Sequence, residues 1–213
     1  MAVAQGFLAS SAYDTLVATV LEQAVPINLP NILTLLRVAA IPLLVVLAGF
    51  PHPVGTLLAA ALFGLAAITD WIDGWLARRS GQMTAFGAFL DPVADKLIVA
   101  TALVLLTDRF DHWLITVSAC VIIGREIVVS ALREWMAQLG QAAAVKVSTI
   151  AKVKTAMQMI AISALLALTP ATEPRYLYWM AVGVLLVAVV LTLWSMVIYL
   201  QVFLAAIEEQ ENP

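Results

Sequence analysis

The sequence predicts an all-α integral membrane protein with six transmembrane helices and a short interfacial helix before them. Three observations carry that expectation. The chain of 213 residues is 63% hydrophobic and 12% charged, with a mean hydropathy of +0.99, whereas a soluble domain is about half apolar and about a quarter charged. Six apolar runs reach the roughly twenty helical residues that cross a hydrocarbon core of ~30 Å. Between them lie short stretches rich in proline, glycine and charge, and helices are the spanning structure expected of such runs, because a bilayer leaves no backbone group to water. At this length one domain is the natural count. The net charge of -3 gives no basic patch for a nucleic acid, so no such partner is expected. Cys120 is the only cysteine, which excludes an intrachain disulfide and reads as a buried small hydrophobe.

Taken in order, residues 1–27 form an N-terminal extension. Met1 to Pro26 holds no Lys or Arg, so it lacks the basic start of a cleaved signal. Ser11-x-x-Asp14 resembles a helix N-cap, and Tyr13, Leu16, Val17, Val20 and Leu21 follow at helical spacing, which suggests an amphipathic helix on the membrane surface; the alternative is a loosely ordered tail. Residues 28–206 form the membrane domain. Its expected spans are Asn31 to Phe50, Val54 to Arg78, Gly87 to Thr107, His112 to Met136, Val147 to Thr169 and Tyr178 to Ala206. In the first, Pro30 precedes the helix and Asn31 caps it. Pro51-His52-Pro53, Asp108 to Asp111 and Pro170 to Tyr176 turn on one side; Ser80 to Phe86 and Leu139 to Lys146 turn on the other. Residues 207–213 are an acidic tail.

Basic residues set the orientation. Arg109 and Arg175 fall at the first group of turns, and the other nine lie toward the opposite side. Positive charge stays inside, so both termini and the charged stretches are expected on the cytoplasmic face of a bacterial inner membrane.

Asp70 to Asp95 is the stretch where this oily chain concentrates its acids. Asp70 and Asp73 are three apart and Asp91 and Asp95 four apart, so each pair shares one helix face. Four carboxylates on two neighbouring helices can converge. Such a cluster repels itself and must be protonated or share cations. An oxygen-only set suits Mg2+ or Mn2+ rather than Zn2+. Gly74 and Ala77 leave room beside the acids, and Arg78 stands a turn further, where a guanidinium can hold phosphate. The plainer reading has the acids capping helix ends or pairing with Arg78, Arg79 and Lys96; intramembrane acids without function are rare.

Depth points the same way. At ~1.5 Å per residue, Asp70 lies roughly 24 Å from Val54, Asp91 roughly 24 Å from Thr107, Arg37 roughly 20 Å from Phe50, Arg125 roughly 20 Å from His112 and Lys154 roughly 22 Å from Thr169. Charges from five helices therefore meet in one layer at the edge of the hydrocarbon. Asn31, Thr34 and Arg37 recur every three residues on the first span and stay near one face of it. On the fourth span Arg125 and Glu126 are sequence neighbours, as are Arg133 and Glu134; neighbours do not face each other on a helix, which leaves Arg125 available to an anion, with pairing to acids of other helices as the alternative.

The pattern D-x2-D-G-x2-A-R-x8-G-x3-D-x3-D, carried by Asp70, Asp73, Gly74, Ala77, Arg78, Gly87, Asp91 and Asp95, resembles the signature of the CDP-alcohol phosphotransferases, with no position departing from it. Asn31-Ile-Leu-Thr34 is similar to the family element that touches the nucleotide. Gly124 to Met136, Lys152-Val-Lys-Thr155 and Leu191 to Met196 resemble the branch that uses sn-glycerol 3-phosphate. The likeness runs from about Asn28 to Leu204. It implies that CDP-diacylglycerol and sn-glycerol 3-phosphate give phosphatidylglycerol phosphate and CMP, among membrane lipids and in a homodimer. It also implies two divalent ions, Mg2+ or Mn2+: Asp70, Asp73 and Asp91 hold one, Asp91 and Asp95, with Asp70, the other. Asp95 matches the proton acceptor; Gly74, Arg78 and Thr84, with Asn31, Thr34 and Asp70, match donor-binding positions. Arg125, Arg133, Lys152 and Lys154 are candidates for the acceptor's phosphate. Two alternatives stay open: transfer to inositol phosphate, serine or phosphatidylglycerol, and a small divalent-cation transporter, whose sites usually lie nearer the midplane.

Overall fold

The computed structural model describes residues 29–51, 53–80, 85–138, 149–172 and 174–211, with some side chains inside the helices, 73–80 and 149–152 among them, outside the description. The expected 1–27 helix and Thr84 lie outside the described residues. Those residues form six α-helices: α1 Leu29–Ala48, α2 Val54–Ser80, α3 Ala85–Phe110, α4 Trp113–Gln138, α5 Thr149–Ala167 and α6 Tyr176–Glu211. The expected all-α architecture is present, each helix within a few residues of its apolar run. Among the described residues three helices are long and apolar enough to cross a membrane: α1 from Asn31, α4, and α6 as far as Ala205. Leu36, Leu65, Ile127, Ile160, Val190 and Trp194 are exposed, a surface that suits hydrocarbon better than water.

The structure differs from the sequence reading in four places, three of them helix ends. Helix α1 starts at Leu29 and runs through Pro30, whose missing N–H is not needed in a first turn; Asn31 is therefore no cap but a helical residue turned inward, only 2% exposed. Helix α3 continues through Asp108 and Arg109 to Phe110, because Asp111 ends it at a positive φ of 42°, tolerated by aspartate, with its N–H on Thr107 O at 3.2 Å. His112 then caps α4, its Nδ1 accepting from Leu114 N at 3.2 Å. At the other end of the chain α6 stays helical to Glu211, so residues 207–211 of the expected acidic tail continue the helix. The fourth correction is Cys120, which is exposed: an apolar residue in such a helix can face lipid as readily as core.

Helix α1 packs on α2 and α3, α5 on α2 and α6, and α4 on α3 and α6. The chain runs up and down, so each helix passes through two unlike halves. Toward the end bearing the 51–53, 111–112 and 168–175 turns, Leu44, Phe63, Leu103, Leu106, Ile115, Ile162, Leu165 and Leu185 make a core in which each is at most 1% exposed. Arg109 donates to Leu166 O at 2.8 Å there, a cation on the last turn of α5 where the helix dipole favours one. Toward the opposite end the buried residues turn polar: Asn31, Thr34, Arg37, Arg125, Lys154, Gln158, Thr192 and Ser195.

Candidate active site

One face of α1 builds the site's base. Thr34 and Arg37, one turn apart and each 3% exposed, meet α3 at the same atom: Thr34 Oγ1 donates to Asp91 Oδ1 at 3.1 Å and Arg37 Nη1 to that oxygen at 3.0 Å. The same Arg37 Nη1 reaches Asp70 Oδ1 on α2 at 2.9 Å. A single buried guanidinium nitrogen thus holds carboxylates from two helices. The guanidinium side is closed, with Arg37's side chain 1% exposed, while the two acids keep 36% and 38% of their side-chain surface open. Cation below and open carboxylates above is an arrangement for receiving further positive charge.

Asp95, one turn past Asp91 on α3, is half-buried and within electrostatic reach of Asp70, Arg37, Lys96 and Glu126. Lys96 itself is held by the carbonyl of Pro92 at 3.2 Å. Asp73, Gly74 and Arg78 sit on α2 at the expected spacing, with their side chains outside the description. Among the described residues no group of three acids, histidines or cysteines forms a metal-holding cluster. The donor set nonetheless fits a hard cation: it is all oxygen, and Asp70 and Asp91 already converge from separate helices on one positive charge.

A second polar cluster joins α4, α5 and α6. Glu126 Oε1 accepts from Lys154 Nζ at 2.8 Å and from Arg125 Nη1 at 2.9 Å. Arg125 is therefore not available in the way its spacing suggested. Backbone directions separate sequence neighbours, yet a long guanidinium can bend back to a carboxylate held by another helix. Arg125 Nη2 also donates to Ser195 at 3.0 Å, while its Nε has no hydrogen-bond partner among the described residues. Arg133, exposed on α4, donates to Tyr199 Oη at 2.6 Å. The Tyr199 ring lies 5.1 Å from Arg133 Cζ and 5.6 Å from Arg125 Cζ, a separation at which the ring quadrupole attracts cations. Of the four expected phosphate-binding cations, Arg125 and Lys154 share one carboxylate, Arg133 is tied in through Tyr199, and the side chain of Lys152 is outside the description.

The sequence reading groups Arg37 with the acids without naming its partners, takes Glu126 only as a neighbour that does not face Arg125, which the 2.9 Å contact corrects, and does not single out Tyr199. For Glu126 a signal existed: an acid inside an apolar run asks for an explanation as much as the aspartates do. Tyr199 offered none.

Comparison with known proteins places the chain in a family. The family model of the CDP-alcohol phosphatidyltransferases matches residues 27–194, which include both polar clusters almost entirely. The CDP-diacylglycerol--glycerol-3-phosphate 3-phosphatidyltransferase of Salmonella choleraesuis (strain SC-B67) is 51% identical over 174 residues, 81% of this chain and 93% of that protein. The proteins of that name from Shigella flexneri and Escherichia coli (strain K12) are each 48% identical over 184 residues, 86% of this chain and 98% of theirs. The family match over most of the chain and relatives at about half identity lead to one conclusion: the chain belongs to the CDP-alcohol phosphatidyltransferase family.

Proposed function

We propose that this protein transfers the phosphatidyl group of CDP-diacylglycerol to sn-glycerol 3-phosphate, giving phosphatidylglycerol phosphate and CMP. The observation that carries the reading is the pair of carboxylates, Asp70 and Asp91, brought from two helices onto one buried guanidinium nitrogen with their outer faces open. The activity for which relatives at about half identity are named supplies the substrates.

In this reading the primary hydroxyl oxygen of the acceptor forms a bond to the phosphatidyl phosphorus. The bond from that phosphorus to the bridging pyrophosphate oxygen breaks, its electron pair leaves with CMP, and the hydroxyl proton passes to the Asp95 carboxylate. Held by Asp70, Asp73, Asp91 and Asp95, two divalent ions, Mg2+ or Mn2+, would neutralise the pyrophosphate and stabilise the leaving group. Asn31, Thr34, Gly74, Arg78 and Thr84 hold the donor; Arg125, Arg133, Lys152 and Lys154 supply charge for the acceptor's phosphate. All six helices span a bacterial inner membrane, with the acids and both termini on the cytoplasmic side, and the protein works as a homodimer.

The test is release of CMP from CDP-diacylglycerol by purified protein against a panel of acceptors. Release should require glycerol 3-phosphate, with glycerol a poor substitute. Equal or better use of serine, inositol phosphate or phosphatidylglycerol would move the reading to another acceptor. No CMP release, together with uptake of divalent cations into proteoliposomes, would replace the enzyme with a transporter.

A further inference from the structure

Nothing in the chemistry above uses Glu126, yet its carboxylate is the knot that joins α4 to α5. Oε1 takes hydrogen bonds from Lys154 Nζ at 2.8 Å and Arg125 Nη1 at 2.9 Å. The two cations depend on it unequally. Arg125 has a second anchor, Ser195, itself held by Thr192 O at 2.9 Å, and the Tyr199 ring beside its guanidinium. Lys154 is 3% exposed, and among the described residues Glu126 is its one hydrogen-bond partner. A four-carbon stem with a rotatable ammonium holds no fixed place by itself. Without its counter-charge, the buried ammonium would swing toward water or lose its proton.

Two donors on one carboxylate oxygen are also two donors within reach of one small region. Lys154 keeps two further N–H bonds, and Arg125 a buried Nε without a partner among the described residues. Glu126 keeps about a quarter of its side chain exposed and lies within electrostatic reach of Lys96 and Asp95. The carboxylate that holds the cation pair is therefore within electrostatic reach of the Asp95 carboxylate, where the acceptor's hydroxyl must react. A carboxylate that bridges both cations fixes their separation before any phosphate arrives, and such preorganisation reduces the ordering that binding must otherwise impose.

We propose that Glu126 is a positioning residue of the acceptor site, holding the Lys154 ammonium beside the Arg125 guanidinium so that their remaining N–H donors receive the acceptor's phosphate. The proposal rests on the reading of glycerol 3-phosphate as acceptor. Its test measures CMP release by wild type, Glu126→Gln, Glu126→Asp, Lys154→Met and the double variant Glu126→Gln/Lys154→Met, varying each substrate in turn. Glu126→Gln should raise the glycerol 3-phosphate KM about tenfold, the scale of one charge-assisted hydrogen bond, with kcat and the CDP-diacylglycerol KM little changed. Because Glu126 acts through Lys154, the double variant should be no worse than Lys154→Met alone. Glu126→Asp, which keeps the charge on a shorter stem, should fall between wild type and Gln, and it carries the test if the Gln variant fails to fold. An unchanged or lowered acceptor KM, losses that add in the double variant, or equal rises in both KM values would overturn the role. If wild type itself turns over with another acceptor and not with glycerol 3-phosphate, the proposed function falls and this role with it; normal wild-type turnover beside unaffected variants removes this role alone.

Discussion

Arg37 is the residue on which the candidate site is built, since one of its nitrogens neutralises two acids from different helices. Removing one member of a buried ion pair is far more damaging than never having had the pair, because the remaining charges lose their compensation. Arg37→Met keeps most of the stem and deletes the charge. It should lower stability in detergent by about 3 kcal/mol, the lower end for such a loss because Asp70 and Asp91 keep a third of their side-chain surface open. Unfolding curves of the variant and wild type without divalent ions measure this, and unchanged stability would mean that the pairing contributes nothing. The aspartates were legible in the sequence because charge in an apolar run stands out and their spacing is local. Arg37's role was not, since its partners lie 33 and 54 positions along the chain and only folding brings them together. The same reason hid the contact of Glu126 with Lys154, 28 residues away.

At the scale of elements, the order and rough extent of the helices could be read from apolar runs and the turns between them; their ends could not. Asn31 was misread because the side chain that makes a good cap also makes a buried polar contact surface, and the choice depends on what α2 and α3 present to it. Asp108 to Asp111 looked like a turn because charged residues usually mark one, yet a left-handed Asp111 and the anchoring of Arg109 on Leu166 O let the helix continue. The α1–α2 connection gives a sharper test. An added Cβ at Gly55 would lie 2.7 Å from Leu47 O and closer still to Phe50 O, both backbone atoms that cannot step aside. Gly55→Ala should therefore destabilise by about 1 to 3 kcal/mol, as overpacking does. At Gly183, on α6, the added atom meets nothing within 4 Å, and Gly183→Ala should be neutral or stabilising by up to about 1 kcal/mol, as expected of alanine in a helix. Thermal unfolding of both variants in one detergent checks the contrast, and equal effects would contradict the packing of this turn.

Across the whole molecule the two halves do different work: an apolar core at one end fixes the six helices, and their opposite ends hold charges that no isolated helix would keep buried. The layer was foreseeable from helix rise alone, since depth along a helix is a matter of counting; which charges pair within it was not. The acids of this layer outnumber the cation that they share at the α1 face: Arg37 serves both Asp70 and Asp91, while Asp95 adds a third carboxylate within reach of Asp70. Bringing a pyrophosphate to that face adds negative charge to negative charge, which is unfavourable in a low-dielectric setting unless further cations arrive with it. Activity should therefore disappear in excess chelator and return with Mg2+ or Mn2+, the hard cations that an all-oxygen set accepts. A second measurement needs no turnover: Mg2+ at about a hundred times its dissociation constant should stabilise the folded protein by roughly 2.7 kcal/mol, seen as a rise in unfolding temperature. In Asp91→Asn that rise should shrink, because one of the two converging carboxylates has lost its charge. Full CMP release in chelator would remove the metal from the reaction. An undiminished thermal rise in Asp91→Asn would move the ion away from the α2–α3 acids.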